Sequence, residues 1–230
     1  MHSLLTSLLK IVTSSIELST ALMLTFSIFR IPLRFNYLKI LLIGTCLSVV
    51  SFYLRDYVNL RDYAYITVLV CELILILIVF KLPFLYSLLI CIIGFLAGSV
   101  IEYGVALAMI GMKISSFEEI DKQLLHQSLL FIITSLVMLM LHLFLQYKKL
   151  GFMFMLRRFQ LQNALQGYNF ILASILLIAI ITLQVVSITI KTLSYHFYVL
   201  LMMTILLLIG IVISYKQNKK MLTEKFERKL

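Results

Sequence analysis

The sequence predicts an all-α fold, a polytopic transmembrane bundle of about seven helices, and three observations carry that prediction. Hydrophobic residues make up 62% of the 230 positions and the mean hydropathy is +1.08, well above the roughly 45–50% apolar content of soluble domains. The apolar residues gather in runs near the roughly 20 residues needed to cross a hydrocarbon core of about 30 Å. Charged residues collect in the short connections between these runs. Such spans use nearly the whole chain, which leaves no room for a soluble catalytic domain.

The first span, near residues 11–29, is interrupted by Glu17 and by a face of Thr13, Ser14, Ser15, Ser19 and Thr20. Only Lys10 precedes it and Arg30 follows it, unlike the basic leader and small-residue cleavage site of a signal peptide. A connection carrying Arg30, Pro32, Arg34 and Lys39 leads to the second span, 38–54, with Tyr37 and Tyr53 as interfacial anchors. Residues 55–62 form the next connection, and the triplet Arg-Asp-Tyr occurs at 55–57 and again at 61–63. The third span, 63–80, holds Glu72 near its middle and ends at Lys81 and Pro83, which allow only a tight turn. In the fourth, 84–112, Glu102 is the one charge. Gly94 and Gly98 stand four apart there, and Gly104 and Ala108 repeat the spacing, so two strips admit a close neighbour and the helix is expected at the centre of the bundle.

The loop 113–123 is the most acidic stretch, and Ser115 or Ser116 ahead of Glu118 and Glu119 makes a capping box for the next helix. The fifth span, 124–145, has His126 and His142 at its two ends, where an amphipathic ring suits the membrane boundary. Two basic pairs, Lys148 with Lys149 and Arg157 with Arg158, bracket an apolar block too short to span, and this segment is expected to lie against lipid headgroups. The sixth span, 168–190, is broken only by Gln184, and the seventh, 196–215, runs into a basic tail, 216–230. Glu224 precedes Arg228 by four, which favours helix. Leu222, Phe226 and Leu230 recur every four residues as a stripe for docking a partner, while Lys219, Lys220, Lys225 and Lys229 would equally hold the tail on anionic lipid.

Orientation follows from lysine and arginine. With seven spans, fourteen of the 20 fall on the side of Arg30, Arg34, Lys39, Lys81, the 148–158 pairs and the tail; six fall on the side of Lys10, Arg55, Arg61, Lys113, Lys122 and Lys191. The first side is therefore cytoplasmic, the amino terminus outside and the carboxyl terminus inside. The net charge of +10 lies at the ends of apolar runs, so anionic lipid rather than nucleic acid is its expected partner. Cys46, Cys71 and Cys91 fall inside apolar runs without CxxC pairing, and neither a disulfide framework nor a metal or other cofactor is expected.

The last span and the charged helix that follows it, ISYKQNKKMLTEKFERKL, give the chain its likeness to a known architecture. With its short outer loops, it resembles the membrane sensor region of peptide-sensing bacterial histidine kinases of the accessory-gene-regulator type. The resemblance is architectural and implies a sensing and relaying role in the cell membrane. No glycine-rich ATP-binding box occurs within these residues, so the resemblance extends only to the sensing and relaying half.

Ionisable groups within the spans are the best functional pointers, because a charge at a helix centre costs about 2.5–3.5 kcal/mol on insertion scales. Glu17, Glu72 and Glu102 are expected to face the interior, in a pocket for a ligand or a proton with Tyr103 beside Glu102 and Arg55 or Arg61 at its rim. The competing reading makes each glutamate a packing residue hydrogen-bonded to a neighbouring helix. Two functions follow: a signalling or regulatory protein that relays a cue to a cytoplasmic or membrane partner, alone or as a homo-oligomer, and a small permease subunit using the same glutamates. Both prolines lie in loops, whereas transporters break corresponding helices within the membrane; that favours signalling. No catalytic motif is found.

Overall fold

The computed structural model describes residues 2–31, 33, 36–58, 61–116, 119–120 and 123–151, together with 201, 202, 204, 205, 207–212 and 215. These residues are helical apart from the connections, with no strand among them. Five long helices are α1 (His2–Ile28), α2 (Tyr37–Phe52), α3 (Arg61–Phe80), α4 (Phe84–Gly111) and α5 (Leu124–Tyr147). Four stretches, Leu5–Ile28, Tyr37–Tyr57, Tyr86–Gly111 and Leu124–Tyr147, are long and apolar enough to cross a membrane, and α3 adds the shorter apolar stretch Ile66–Phe80. The chain is a membrane protein by these helices. Leu125, Leu129, Ile132, Leu136, Met140 and Leu143 stay exposed along α5, a surface suited to lipid.

Helices α2 to α5 pack each against the next, and α1 lies against α2, α4 and α5, most extensively against α2 and α5. The hub among the described residues is thus α1, not the fourth helix that the glycine spacing suggests. Its chemistry explains the place. Ten serines and threonines line α1, and small hydroxyl residues let neighbouring backbones come close and hydrogen-bond across helices. Thr13, Thr20 and Thr25 return their hydroxyls to carbonyls of their own helix, at Leu9, Glu17 and Ala21. Ser15 and Thr45 pair at 3.0 Å, and Ser48 of α2 donates to the Ile11 carbonyl at 2.7 Å. From Leu24 to Ser27 four consecutive residues are buried; at about 3.6 residues per turn, they cover the whole circumference, so this part of α1 is enclosed.

Small residues set the closest approaches. A side chain on Gly44 of α2 would meet the Ser19 hydroxyl and come within 3.0 Å of the Ser19 backbone nitrogen, and one on Gly94 of α4 would come within 2.8 Å of Thr25 Cγ2. Gly98 lies near Met138 and Ala21. The Gly94/Gly98 strip therefore does what its spacing predicts. The Gly104/Ala108 strip does not: nothing among the described residues lies within 4 Å of a side chain placed at Gly104, and Ala108 is exposed.

One end of the bundle is an apolar plug. Phe26 meets Phe80 edge-on at 4.8 Å, Phe29 meets Tyr86 at 5.8 Å, and Leu33, Ile90 and Ile93 are buried with them. Arg30, Lys39, Lys81, Lys148 and Lys149 lie at this end, where Lys39 sits over the Phe80 ring at 5.8 Å. Lys10, Arg55 and Lys113 belong to the other, where Lys10 Nζ and Asp56 Oδ1 form an ion pair at 2.7 Å.

Helix ends carry a shared device. Arg30, Lys113 and Lys149 occupy the left-handed region, with φ of 51°, 58° and 52°. Ile31, Ile114 and Leu150 donate back to the carbonyls of Phe26, Met109 and Leu145, the paired closure of a Schellman motif. Glycine usually fills this position; here a cation does, which favours the negative end of the helix dipole. Lys113→Val, which loses the cation and tolerates positive φ poorly, is expected to lower thermal stability in detergent by about 1–2 kcal/mol. Lys113→Gly is expected to stay within about 1 kcal/mol of the parent.

Several boundaries differ from the sequence reading. Lys10 lies within α1 rather than ahead of the first helix. Arg55–Tyr57 do not open a connection: they complete a π-helical turn, Tyr53–Tyr57, closed by the Val58 N–H on the Tyr53 carbonyl. The capping box forms between Ser116 and Glu119: the Ser116 N–H donates to Glu119 Oε2 at 2.7 Å and the Glu119 N–H donates to Ser116 Oγ at 3.3 Å. The Ser116 N–H holds the Glu119 carboxyl below its ordinary value. That box does not open α5 directly: Gln123 is extended before α5 begins. The sixth span and the tail lie outside the described residues.

Candidate functional site

A cavity of about 100 Å³, lined by both apolar and polar side chains, lies between the helices, and each wall is one face of one element. From α1 come Ser14, Glu17, Leu18, Ala21, Leu22 and Thr25, which follow the three-and-four spacing of one helical face. From α4 come Gly94, Phe95, Gly98, Ser99 and Glu102, from α3 Val68 and Glu72, and from α5 Phe131 and Met138. Leu47, Ser51 and Arg55 complete it. They stand four apart, and the wider π-helical turn at Tyr53–Tyr57 carries Arg55 into line with Ser51 beyond the end of regular α2. The volume exists because small side chains face one another: Ala21, Gly94, Gly98 and Ser99 leave space that larger residues would fill.

The three glutamates and Arg55 therefore share one cavity. Glu17 is 8% exposed; Glu72 and Glu102 are half-buried. One guanidinium among three carboxyl groups leaves room for further positive charge, supplied as protons or as a bound cation. From Ser14 to Thr25 the polar wall follows α1 for roughly 16 Å at about 1.5 Å per residue. The next residue, Phe26, belongs to the apolar core instead.

Other expected site residues fall elsewhere. Tyr103 packs against the apolar core beside α4 and does not line the cavity. The side chain of Arg61 lies outside the described residues, as do Arg157, Arg158, Leu222, Phe226 and Leu230. Lys148 and Lys149 are exposed at the end of α5, with Lys148 over the Tyr147 ring at 5.7 Å.

His142 is the clearest correction. Its ring is not exposed at the end of the helix: it is buried against α1, with Nδ1 2.7 Å from Ser27 Oγ and 3.1 Å from the Met23 carbonyl. The imidazole joins α1 to α5. Sequence reasoning also missed Ser51, Ser99 and Thr25 as wall residues, although a usable signal existed. Each recurs at three to four residues from a charged residue of the cavity or from another wall residue, on the same helical face.

No family model, curated protein or solved structure matches the chain.

Proposed function

We propose that the chain is a multi-pass cell-membrane protein of the signalling or regulatory class, in which occupancy of the Glu17–Glu72–Glu102 cavity is relayed to a cytoplasmic or membrane partner. The observation that supports this reading is the gathering of Glu17, Glu72, Glu102 and Arg55 on one cavity inside the bundle. Beyond Thr25 on α1, Phe26 and Phe29 are packed in the apolar core with Ile90 and Ile93, which suits reception of a cue better than passage of a solute. A seven-span arrangement, with the amino terminus outside, places Lys10, Arg55 and Lys113 on the outer side and Arg30, Lys39, Lys81, Lys148 and Lys149 on the cytoplasmic side, as the excess of cations demands. The last span and tail would then carry the change inward, in keeping with the resemblance to peptide-sensing kinase sensor regions.

Topology is tested by labelling single introduced cysteines in intact cells. A membrane-impermeant reagent is expected to reach the 113–123 loop and spare residues 148–151, and the reverse pattern ends the inward-tail reading. The same three carboxylates also support a small permease subunit. Flux of protons or cations in liposomes, dependent on Glu102, would favour that reading over signalling.

A further inference from the structure

The π-helical turn at the end of α2 and the ion pair beside it imply one another. Ser48 of α2 donates to the Ile11 carbonyl of α1 at 2.7 Å, so the side of α2 that carries Ser48 faces α1 next to Lys10. Asp56 follows Ser48 by eight residues. At about 100° per residue, a regular α-helix would turn Asp56 about 80° past that side. A π-helical turn takes in one extra residue, and with Tyr53–Tyr57 wound in this way Asp56 falls only about 20° short of it. There Asp56 Oδ1 meets Lys10 Nζ at 2.7 Å. The rings follow the same winding: Tyr53 and Tyr57, four apart, stack at 5.9 Å, and Phe52 and Tyr57, five apart, meet edge-on at 6.3 Å.

Were the same segment α-helical, Arg55 would take the place that Asp56 now holds, about 20° short of Ser48, and would bring a second cation up to Lys10. Lys10 therefore selects between two registers by charge: it attracts Asp56 in the π-helical one and repels Arg55 in the α-helical one. The two side chains of the pair are 30% and 29% exposed. An ion pair so exposed contributes little stability, which is what a reversible latch requires. In the π-helical register Arg55 lines the cavity with Leu47 and Ser51. We propose that the end of α2 is a register switch, π-helical while Lys10 holds Asp56 and α-helical when the pair opens, and that the second register swings Arg55 out of the cavity toward α1. As a means of regulating the cavity, this rests on the reading of the cavity as the receiving site. The two windings differ by one residue, so deletion of that residue removes the switch and leaves the helix.

The test is pulsed electron paramagnetic resonance on the full-length protein in mild detergent, with Cys46, Cys71 and Cys91 replaced by alanine. Nitroxides are attached at Val58→Cys and, in turn, at Met112→Cys or Leu125→Cys; all three positions are exposed. Lys10→Glu, which attracts Arg55 and repels Asp56, is expected to shift at least one of the two distances by several ångströms. The limit is about 8 Å, for a side-chain tip turned about 100° on a helix about 11 Å across. Lys10→Gln only removes the attraction, and it serves where Lys10→Glu fails to fold; it is expected to add a second distance beside the parent's. Deletion of Leu54 makes the segment α-helical with Asp56 still at Lys10, so it is expected to keep the parent distances, and Lys10→Glu in that background is expected to shift neither. Unchanged distances in both Lys10 variants overturn the proposal. So does a shift in Lys10→Glu that persists after deletion of Leu54, because the movement would then not be a change of register. These distances require no cellular output: if they shift as described while cells carrying Glu102→Gln respond normally, the signalling reading fails and the register switch stands.

Discussion

Gly44→Leu is expected to separate α1 from α2 and leave little folded protein. A side chain at this position would meet the Ser19 hydroxyl and come within 3.0 and 3.1 Å of the Ser19 backbone nitrogen and Cα. Backbone cannot rotate aside as a side chain can, so relief requires the two helices to move apart. That movement would also break the Ser15–Thr45 and Ser48–Ile11 hydrogen bonds. Overpacking a tight contact typically costs about 1–3 kcal/mol, and a backbone collision belongs at or above the upper end. Gly94→Ala is expected to cost less, because its neighbours are the side-chain atoms of Thr25, and Thr25→Ala should recover part of the loss. Gly104→Leu is expected to stay within about 0.5 kcal/mol. Thermal denaturation in mild detergent, with membrane abundance measured in parallel, gives the order. Equal stability of Gly44→Leu and Gly104→Leu would remove α1 from its place at the hub.

The helices were legible in the sequence because lipid imposes length and polarity on every span. The ends of α3, α4 and α5 fall within about two residues of the apolar runs, the spread expected between methods of assigning helix ends. What sets the order of packing was harder to read. Glycine spacing marks a surface that admits a neighbour, but it does not say which surface the neighbour takes; Gly94 and Gly98 are used and Gly104 is left open. The Ser/Thr-rich face of α1 carried the stronger signal, and it was visible. The shared cavity was legible in outline, since Glu17, Glu72 and Glu102 each had to face inward to avoid lipid. Arg55 was placed at a rim because Arg-Asp-Tyr reads as a connection; a π-helical turn depends on hydrogen bonds that residue type alone does not announce. The burial of His142 was not legible because distance from the end of an apolar run says nothing about which side of the helix meets α1.

The proposed signalling role makes its strongest demand on the carboxylates. Glu102→Gln is expected to abolish the response that distinguishes cells with the protein from cells without it, read as the transcript profile restored by complementation. Membrane abundance is expected to stay normal, because glutamine keeps the size and hydrogen-bonding capacity of glutamate and gives up only its charge. Glu17→Gln should act in the same way, since both carboxyl groups line the same cavity. Tyr103→Phe supplies the contrast. Its side chain packs with the core rather than on the cavity wall, so it is expected to leave the response intact although it neighbours Glu102 in the chain. A loss in Tyr103→Phe equal to that in Glu102→Gln would point to disturbed packing of α4 instead of a lost charge. A normal response in the combined Glu72→Gln and Glu102→Gln variant would reduce these carboxylates to interhelical packing groups, and the cavity would then have no part in signalling.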